Sequence, residues 1–259
     1  MVQNISRVLG PAPAGPRPPR GSATRRQCPR GHAASGARWV PSHLRSGSRP
    51  FYLDGQVCGL LAVDIAGFGE PCRDDDVRLY VHRALYDVLA AAFDGSGVPW
   101  AGCAHEDRGD GALVVVPPAI SSAGLLHPIP DKLLVLLRRH NRVSCDAAGI
   151  RLRVAMHVGP VHHDGHGFVG HDVNHLYRML EAPALRRMLK EPGAEIAYIT
   201  SRYVYENVVT SRPSLVSPDV FKPVTVRVKE TRERAWAYAL GGFPFSCKVL
   251  CAITHILWR

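Results

Sequence analysis

The stretch that most constrains this chain runs from Gln56 to Ile65, where Val57-Cys58-Gly59-Leu60-Leu61-Ala62-Val63 is followed at once by Asp64. A continuous apolar run of this length reads as a strand buried in a core. The turn residues Ala66-Gly67-Phe68-Gly69 come next. Asp64 is therefore expected where a core strand leaves its sheet, with a glycine-containing turn beside it.

The rest of the pattern supplies partners for that strand. Asp74-Asp75-Asp76 makes an acidic helix start, Leu79, Leu85, Leu89 and Phe93 recur at helical spacing, and Gly95 and Gly97 stop the helix. Trp100 to His105 and Ala112 to Val116 are apolar-rich runs joined by Glu106-Asp107-Arg108-Gly109-Asp110-Gly111, which predicts a β-hairpin with an acidic tip. Asp131 begins a helix with Leu133, Leu134, Leu136 and Leu137 toward the core, and Leu152 to His157 alternates like a strand. Val173 to Leu180 is helical in pattern and Ala194 to Thr200 strand-like. Ser201 caps a short helix, and Val224 to Val228 with Ala235 to Leu240 predicts a final hairpin. This alternation predicts an α+β fold with helices covering one sheet.

Charge divides the 259 residues into unequal parts. The formal charge is +10, yet residues 1–50 hold nine arginines and no acid, so the remainder is close to neutral. That Pro- and Arg-rich segment lacks the apolar content to offset chain entropy and is expected to be a disordered tail. It is expected to be a solvated extension or the product of a start codon assigned too far upstream; any nucleic-acid binding is assigned to it alone. The expected organisation is a basic tail over 1–50, a catalytic domain over 51–241 and an apolar tail over 242–259. Seven cysteines without regular spacing argue for a reducing, cytoplasmic compartment. The longest apolar stretch, Val249 to Trp258, is too short to span a bilayer.

Asp64 and Asp110 occupy a strand end and a hairpin tip, places from which a sheet brings distant residues together at its rim. Paired carboxylates suit hard divalent cations, which take oxygen ligands and keep water or substrate phosphate in the rest of their shell. The glycines of Ile65-Ala66-Gly67-Phe68-Gly69 allow backbone N–H groups to approach an anion. Asn174 and Arg178, four apart on one helix, place an amide and a guanidinium on one face. His162-His163-Asp164-Gly165-His166-Gly167 reads as a polar hairpin rather than a closed zinc site.

Val63-Asp64-Ile65-Ala66-Gly67-Phe68 resembles the first metal-binding strand of the class III adenylyl and guanylyl cyclases, and Glu106-Asp107-Arg108-Gly109-Asp110 resembles their second metal-binding hairpin. Val169-Gly170-His171-Asp172-Val173-Asn174-His175-Leu176-Tyr177-Arg178 is similar to the stretch that ends in their Asn-x-x-x-Arg pair. The order is the family's order, from Val57 to Leu240. The resemblance implies a ferredoxin-like βαββαβ cyclase-type sheet with helices on one face. It implies that Asp64 and Asp110, helped by the Ile65 carbonyl, hold two Mg²⁺ or Mn²⁺ ions per site, and that turn amides at Gly67 and Phe68 hold the triphosphate. Asn174 would position the ribose, and Arg178 would stabilise charge at the α-phosphorus. Lys229 would contact phosphate, although Glu230 stands where the family has glycine.

Glu106 lies where the family selects the base and favours guanine, while the second selecting position, Gly167, offers no side chain. The family also implies a head-to-tail homodimer with composite sites and a nucleoside triphosphate converted to a 3′,5′-cyclic product in signalling. The alternative expectations are a non-catalytic cyclase-like domain that binds nucleotide and regulates a partner, and a nucleic-acid-binding protein acting through residues 1–50.

Overall fold

The computed structural model describes residues 54–241. The predicted tails over 1–50 and 242–259 lie outside the described residues. Strand β1 (Asp54–Ile65) leads to α1 (Asp75–Asp94), the hairpin β2 (Ala104–Asp107) and β3 (Gly111–Val116), then α2 (Ile129–Val143) and β4 (Leu152–His163). The chain continues through β5 (Phe168–Val169), α3 (His171–Leu180), α4 (Pro183–Met188), β6 (Ile196–Ser201), α5 (Arg202–Val204), β7 (Lys222–Val228) and β8 (Thr231–Leu240).

The strands form one sheet in the order β2-β3-β1-β4-β6-β8-β7, with β5 paired to β4 beside this path. Its first four members, β2-β3-β1-β4, are antiparallel neighbours, which with α1 and α2 makes the expected βαββαβ core. The β4–β6 pair is parallel, so the chain must cross over between them, and α3 and α4 make that crossing.

Alternation along the strands sorts the core into two layers. Leu61, Val63 and Ile65 of β1 pack with Val81, Leu85 and Leu89 of α1 and Leu133 and Leu137 of α2. Leu60 and Ala62 point the other way and pack with Val173, Leu176 and Met179 of α3 and Leu185 of α4. The expectation of helices on one face therefore holds for the βαββαβ core and is corrected for the whole sheet. Strand β1 is apolar at every core position, and a strand apolar on both sides needs cover on both sides. Leu79, expected in the α1 core stripe, is half exposed, and Val81 takes its place.

Local signals set the element ends. Asp74 caps α1 by accepting from the Val77 N–H, and Asp75 and Asp76 sit in its first turn. Ser201 accepts from the Val204 N–H as β6 gives way to α5. No helix among the described residues is long and apolar enough to cross a membrane.

Candidate active site

Asp64 and Asp110 are brought together by the β1–β3 ladder. Asp64 lies opposite Gly111, and the Ile65 N–H donates to the Asp110 carbonyl at 2.8 Å. Gly111 makes this approach possible: a Cβ there would stand 2.0 Å from the Val63 carbonyl oxygen. The hairpin tip is fixed by Asp107, whose carboxylate accepts from the Gly109 N–H at 2.6 Å and pairs with His82 of α1 at 2.9 Å. Asp110 is exposed and its side chain has no partner among the described residues.

Asp64 is engaged by a residue that the sequence reading did not assign. Across the β1–β4 ladder it faces Arg153, whose Nε donates to Oδ1 at 3.0 Å and Nη2 to Oδ2 at 2.5 Å. Both side chains are largely buried. Burial pushes the Asp64 carboxyl above its ordinary value; Arg153 opposes the push and neighbouring Asp110 adds to it. The charge of Arg186 also acts on Asp64, against the push of burial. Among the described residues no three His, Cys, Asp or Glu side chains converge to hold a metal. The donors present, two carboxylates beside a backbone carbonyl, fit a hard cation that completes its shell with water and substrate oxygens.

The turn after β1 is tight. Gly67 has φ of +70°, the Phe68 N–H donates to the Ile65 carbonyl at 3.3 Å, and the Glu70 N–H to the Gly67 carbonyl at 3.2 Å. The Glu70 carboxylate lies against Gly67, 2.5 Å from where a Cβ would stand. A phosphate held by this turn requires Glu70 to swing into solvent, and its exposed position permits that.

The two base-selecting positions of the sequence reading are in contact. A Cβ on Gly167 would lie 3.1 Å from Glu106 Oε1, and the Phe168 N–H donates to Oε2 at 3.4 Å. Arg108, two residues along and on the same side of the chain, donates to Glu106 Oε2 at 3.2 Å and stacks its guanidinium 4.9 Å from the Tyr177 ring centre. The Tyr177 hydroxyl is buried, and burial pushes it up to about 12 against the opposing charge of Arg108.

Asn174 and Arg178 share the outer side of α3, Asn174 exposed and Arg178 mostly covered. Arg178 donates to Glu230 Oε1 through Nη2 at 3.0 Å and Nε at 3.3 Å. Glu230 and Lys229 form the two-residue turn between β7 and β8, where Lys229 takes φ of +49°. Glu230, at the position where the resemblance led to an expected glycine, is thus the partner of Arg178. No hydrogen bond or ion pair among the described residues joins Asn174 or Arg178 to Asp64 or Asp110. The histidine-rich segment is the β4–β5 hairpin, with Asp164 accepting from the His166 and Gly167 N–H groups at 2.8 and 2.9 Å.

No family model matches the chain, and no curated protein matches it in sequence. Solved structures do match. The adenylate/guanylate cyclase/hydrolase from Silicibacter pomeroyi superposes with a TM-score of 0.50 at 19% identity, covering 71% of this chain and 97% of that one. The guanylyl cyclase Cya2 (TM-score 0.49, 16% identity, 74% and 96% covered) is also similar. So is the guanylate cyclase domain of RhGC from Catenaria anguillulae in complex with GTP (0.48, 17%, 72% and 97%). The fold is a class III nucleotidyl cyclase-like fold.

Proposed function

We propose that residues 51–241 form a nucleotidyl cyclase domain that converts a nucleoside triphosphate, with GTP favoured, into a 3′,5′-cyclic nucleotide and pyrophosphate. The observation that carries this reading is the convergence of Asp64 and Asp110 on one rim of the sheet, linked by the Ile65 to Asp110 backbone bond. Their carboxylates, with the Ile65 carbonyl, would hold two Mg²⁺ or Mn²⁺ ions. When bound, such ions acidify the ribose 3′-hydroxyl and neutralise the departing pyrophosphate, so no side-chain base is required.

The chain's own residues do the rest. The amides of the Gly67-Phe68 turn receive phosphate oxygens once Glu70 has moved aside and the Phe68 N–H has left the Ile65 carbonyl, and Lys229 adds a cation from the β7–β8 turn. Asn174 orients the ribose, and Arg178, released from Glu230, donates to the α-phosphate as its charge grows. Glu106 accepts from guanine N1–H and its 2-amino group, and the glycine at 167 is what lets the Glu106 carboxylate lie there. The resemblance to the cyclases carries a head-to-tail homodimer with composite sites into this reading, with the Asn174/Arg178 pair of one protomer serving the aspartates of its partner. A cytoplasmic location is supported by the irregular cysteine usage.

A second reading, a non-catalytic nucleotide-binding regulator, is favoured by three contacts. Arg153 occupies both Asp64 oxygens, Glu70 covers the Gly67 turn, and Glu230 holds Arg178. One experiment separates the two. Purified chain is incubated with Mn²⁺ or Mg²⁺ and each of ATP, GTP, CTP and UTP, and products are resolved by mass spectrometry. A cyclic nucleotide that disappears in Asp110→Ala supports the enzyme. Binding without any cyclic product supports the regulator.

A further inference from the structure

On the α3 side of the sheet lies a cleft of about 420 Å³ lined by His157, His171, Asp172, His175, Ser201 and Glu233 among others. A directional hydrogen-bond chain crosses it. The Val204 N–H donates to Ser201 Oγ at 3.3 Å, Ser201 Oγ lies 2.8 Å from His157 Nδ1, and His157 Nε2 lies 3.0 Å from Asp172 Oδ1. The Asp172 carboxylate can only accept, so Nε2 of the neutral imidazole carries the proton and Nδ1 takes the Ser201 hydroxyl proton. His157 is then the tautomer that donates from Nε2 to Asp172.

This chain ties three elements. Ser201 ends β6, His157 belongs to β4, and Asp172 is in the first turn of α3. Helix α3 starts after Gly170 with no side-chain cap, so its first turn is held from the sheet rather than from its own end. Gly159 of β4 lets it sit close, because a Cβ there would stand 2.5 Å from the Asp172 carboxyl carbon. Val173, Leu176 and Met179 also fasten α3 to the sheet, but apolar contacts allow sliding and rotation that a hydrogen-bond chain does not.

We propose that His157 is the positioning residue for Asn174: through Asp172 it fixes the height and rotation of the first α3 turn, and so where the Asn174 amide is presented. The role of Asn174 in turnover rests on the cyclase reading above; the anchoring of α3 does not. The neighbours of His157 fit a structural tether. From α3, His171 and His175 flank it, with the His175 ring 4.8 Å from the His157 ring. From β8, Glu233 pairs with His175 at 3.0 Å, while Arg202 and Glu206 at the cleft mouth pair with each other at 2.8 Å. His157 itself is only 6% exposed, and burial holds its imidazole below the ordinary value, which keeps the neutral donor form that the chain requires.

The test uses the full-length protein and four variants: His157→Leu, Asp172→Ala, the rescue variant His157→Gln, whose amide reaches the Nε2 position, and Asp172→Asn, which keeps an acceptor. Amide hydrogen exchange of residues 171–176 is read against that of β1 and α1, together with kcat and KM for the nucleotide with Mn²⁺. In His157→Leu and Asp172→Ala, exchange in α3 is expected to be roughly five- to tenfold faster, the factor that one or two lost hydrogen bonds give, with β1 unchanged. Their kcat falls roughly ten- to a hundredfold at similar KM, as misplacement of a reacting group predicts, and both conservative variants recover. Unchanged α3 exchange in folded Asp172→Ala, or no recovery in His157→Gln and Asp172→Asn, overturns the assignment. If wild type makes no cyclic product, the cyclase reading fails, and the exchange data still decide the anchor.

Discussion

Arg153 binds Asp64 through two parallel N–H···O bonds across the β1–β4 ladder, so the carboxylate expected to hold a cation already holds a guanidinium. Removing one member of a mostly buried pair leaves the other charge without compensation, at a cost of about 3 kcal/mol or more. Arg153→Ala is therefore expected to lower the melting temperature clearly. Mn²⁺ should raise it again, and by more than in wild type, because the cation then supplies the charge that the guanidinium gave. Melting curves with and without Mn²⁺ check this, and equal Mn²⁺ responses in the two proteins would remove the cation from Asp64.

Arg178 and Glu230 behave differently, because Glu230 is exposed at a hairpin tip and contributes little to stability. Glu230→Ala should leave the unfolding midpoint close to that of wild type. It should also leave turnover intact or raise it by freeing the guanidinium. Arg178→Ala should lower kcat roughly a hundredfold with a smaller change in KM, as loss of a group that acts in the transition state does. Parallel steady-state kinetics on the two variants provide the comparison; equal losses in both would mean that the pair, not Arg178 alone, is what matters.

The contrast between these two arginines shows what was legible in the sequence. The α+β elements followed from strand and helix periods and their βαββαβ order from the resemblance, while Asp64 at a strand end and Asp110 at a hairpin tip were legible as positions that a sheet rim can bring together. Arg153 was not assigned, because its face depends on the register between β1 and β4. The pattern Leu152-Arg153-Val154-Ala155 places Arg153 on the opposite side from Val154, but only the ladder sets it against Asp64. The cover on both faces was missed for a related reason: α3 and α4 read as ordinary amphipathic pieces, and nothing local says which side of the sheet a crossover takes. Glu230 looked like a departure from a glycine, and its partner lies 52 residues away in sequence.

In the proposed function, Glu106, which lies against Gly167, is the base-selecting residue. A carboxylate that accepts two guanine N–H groups is left with lone pairs facing adenine N1, and a site built for such bonds discriminates strongly. Glu106→Ala is expected to reduce the ratio of kcat/KM for GTP over ATP by roughly ten- to a hundredfold. It should also free Arg108, which now divides its guanidinium between Glu106 and the Tyr177 ring. Competition assays with both nucleotides in one tube read the ratio directly. An unchanged ratio would take Glu106 out of base selection.

The buried His157 also sets an acid limit on stability. Its folded value is held below the ordinary one, first by burial and then by the charge of His175, with Asp172 and Glu233 acting in the other direction. In the unfolded chain the imidazole takes up its proton at about 6.5. Just below that pH the unfolded state binds more protons than the folded one. Stability then rises with pH across the interval, and is lost as pH falls from about 6.5 toward the depressed folded value. Urea unfolding at steps between pH 8 and 5.5, above the carboxylate range, should show a plateau followed by a decline. His157→Gln, which cannot take up the proton yet keeps the Nε2 donor, should flatten that decline while remaining folded; the same slope in both proteins would assign the acid sensitivity to another group.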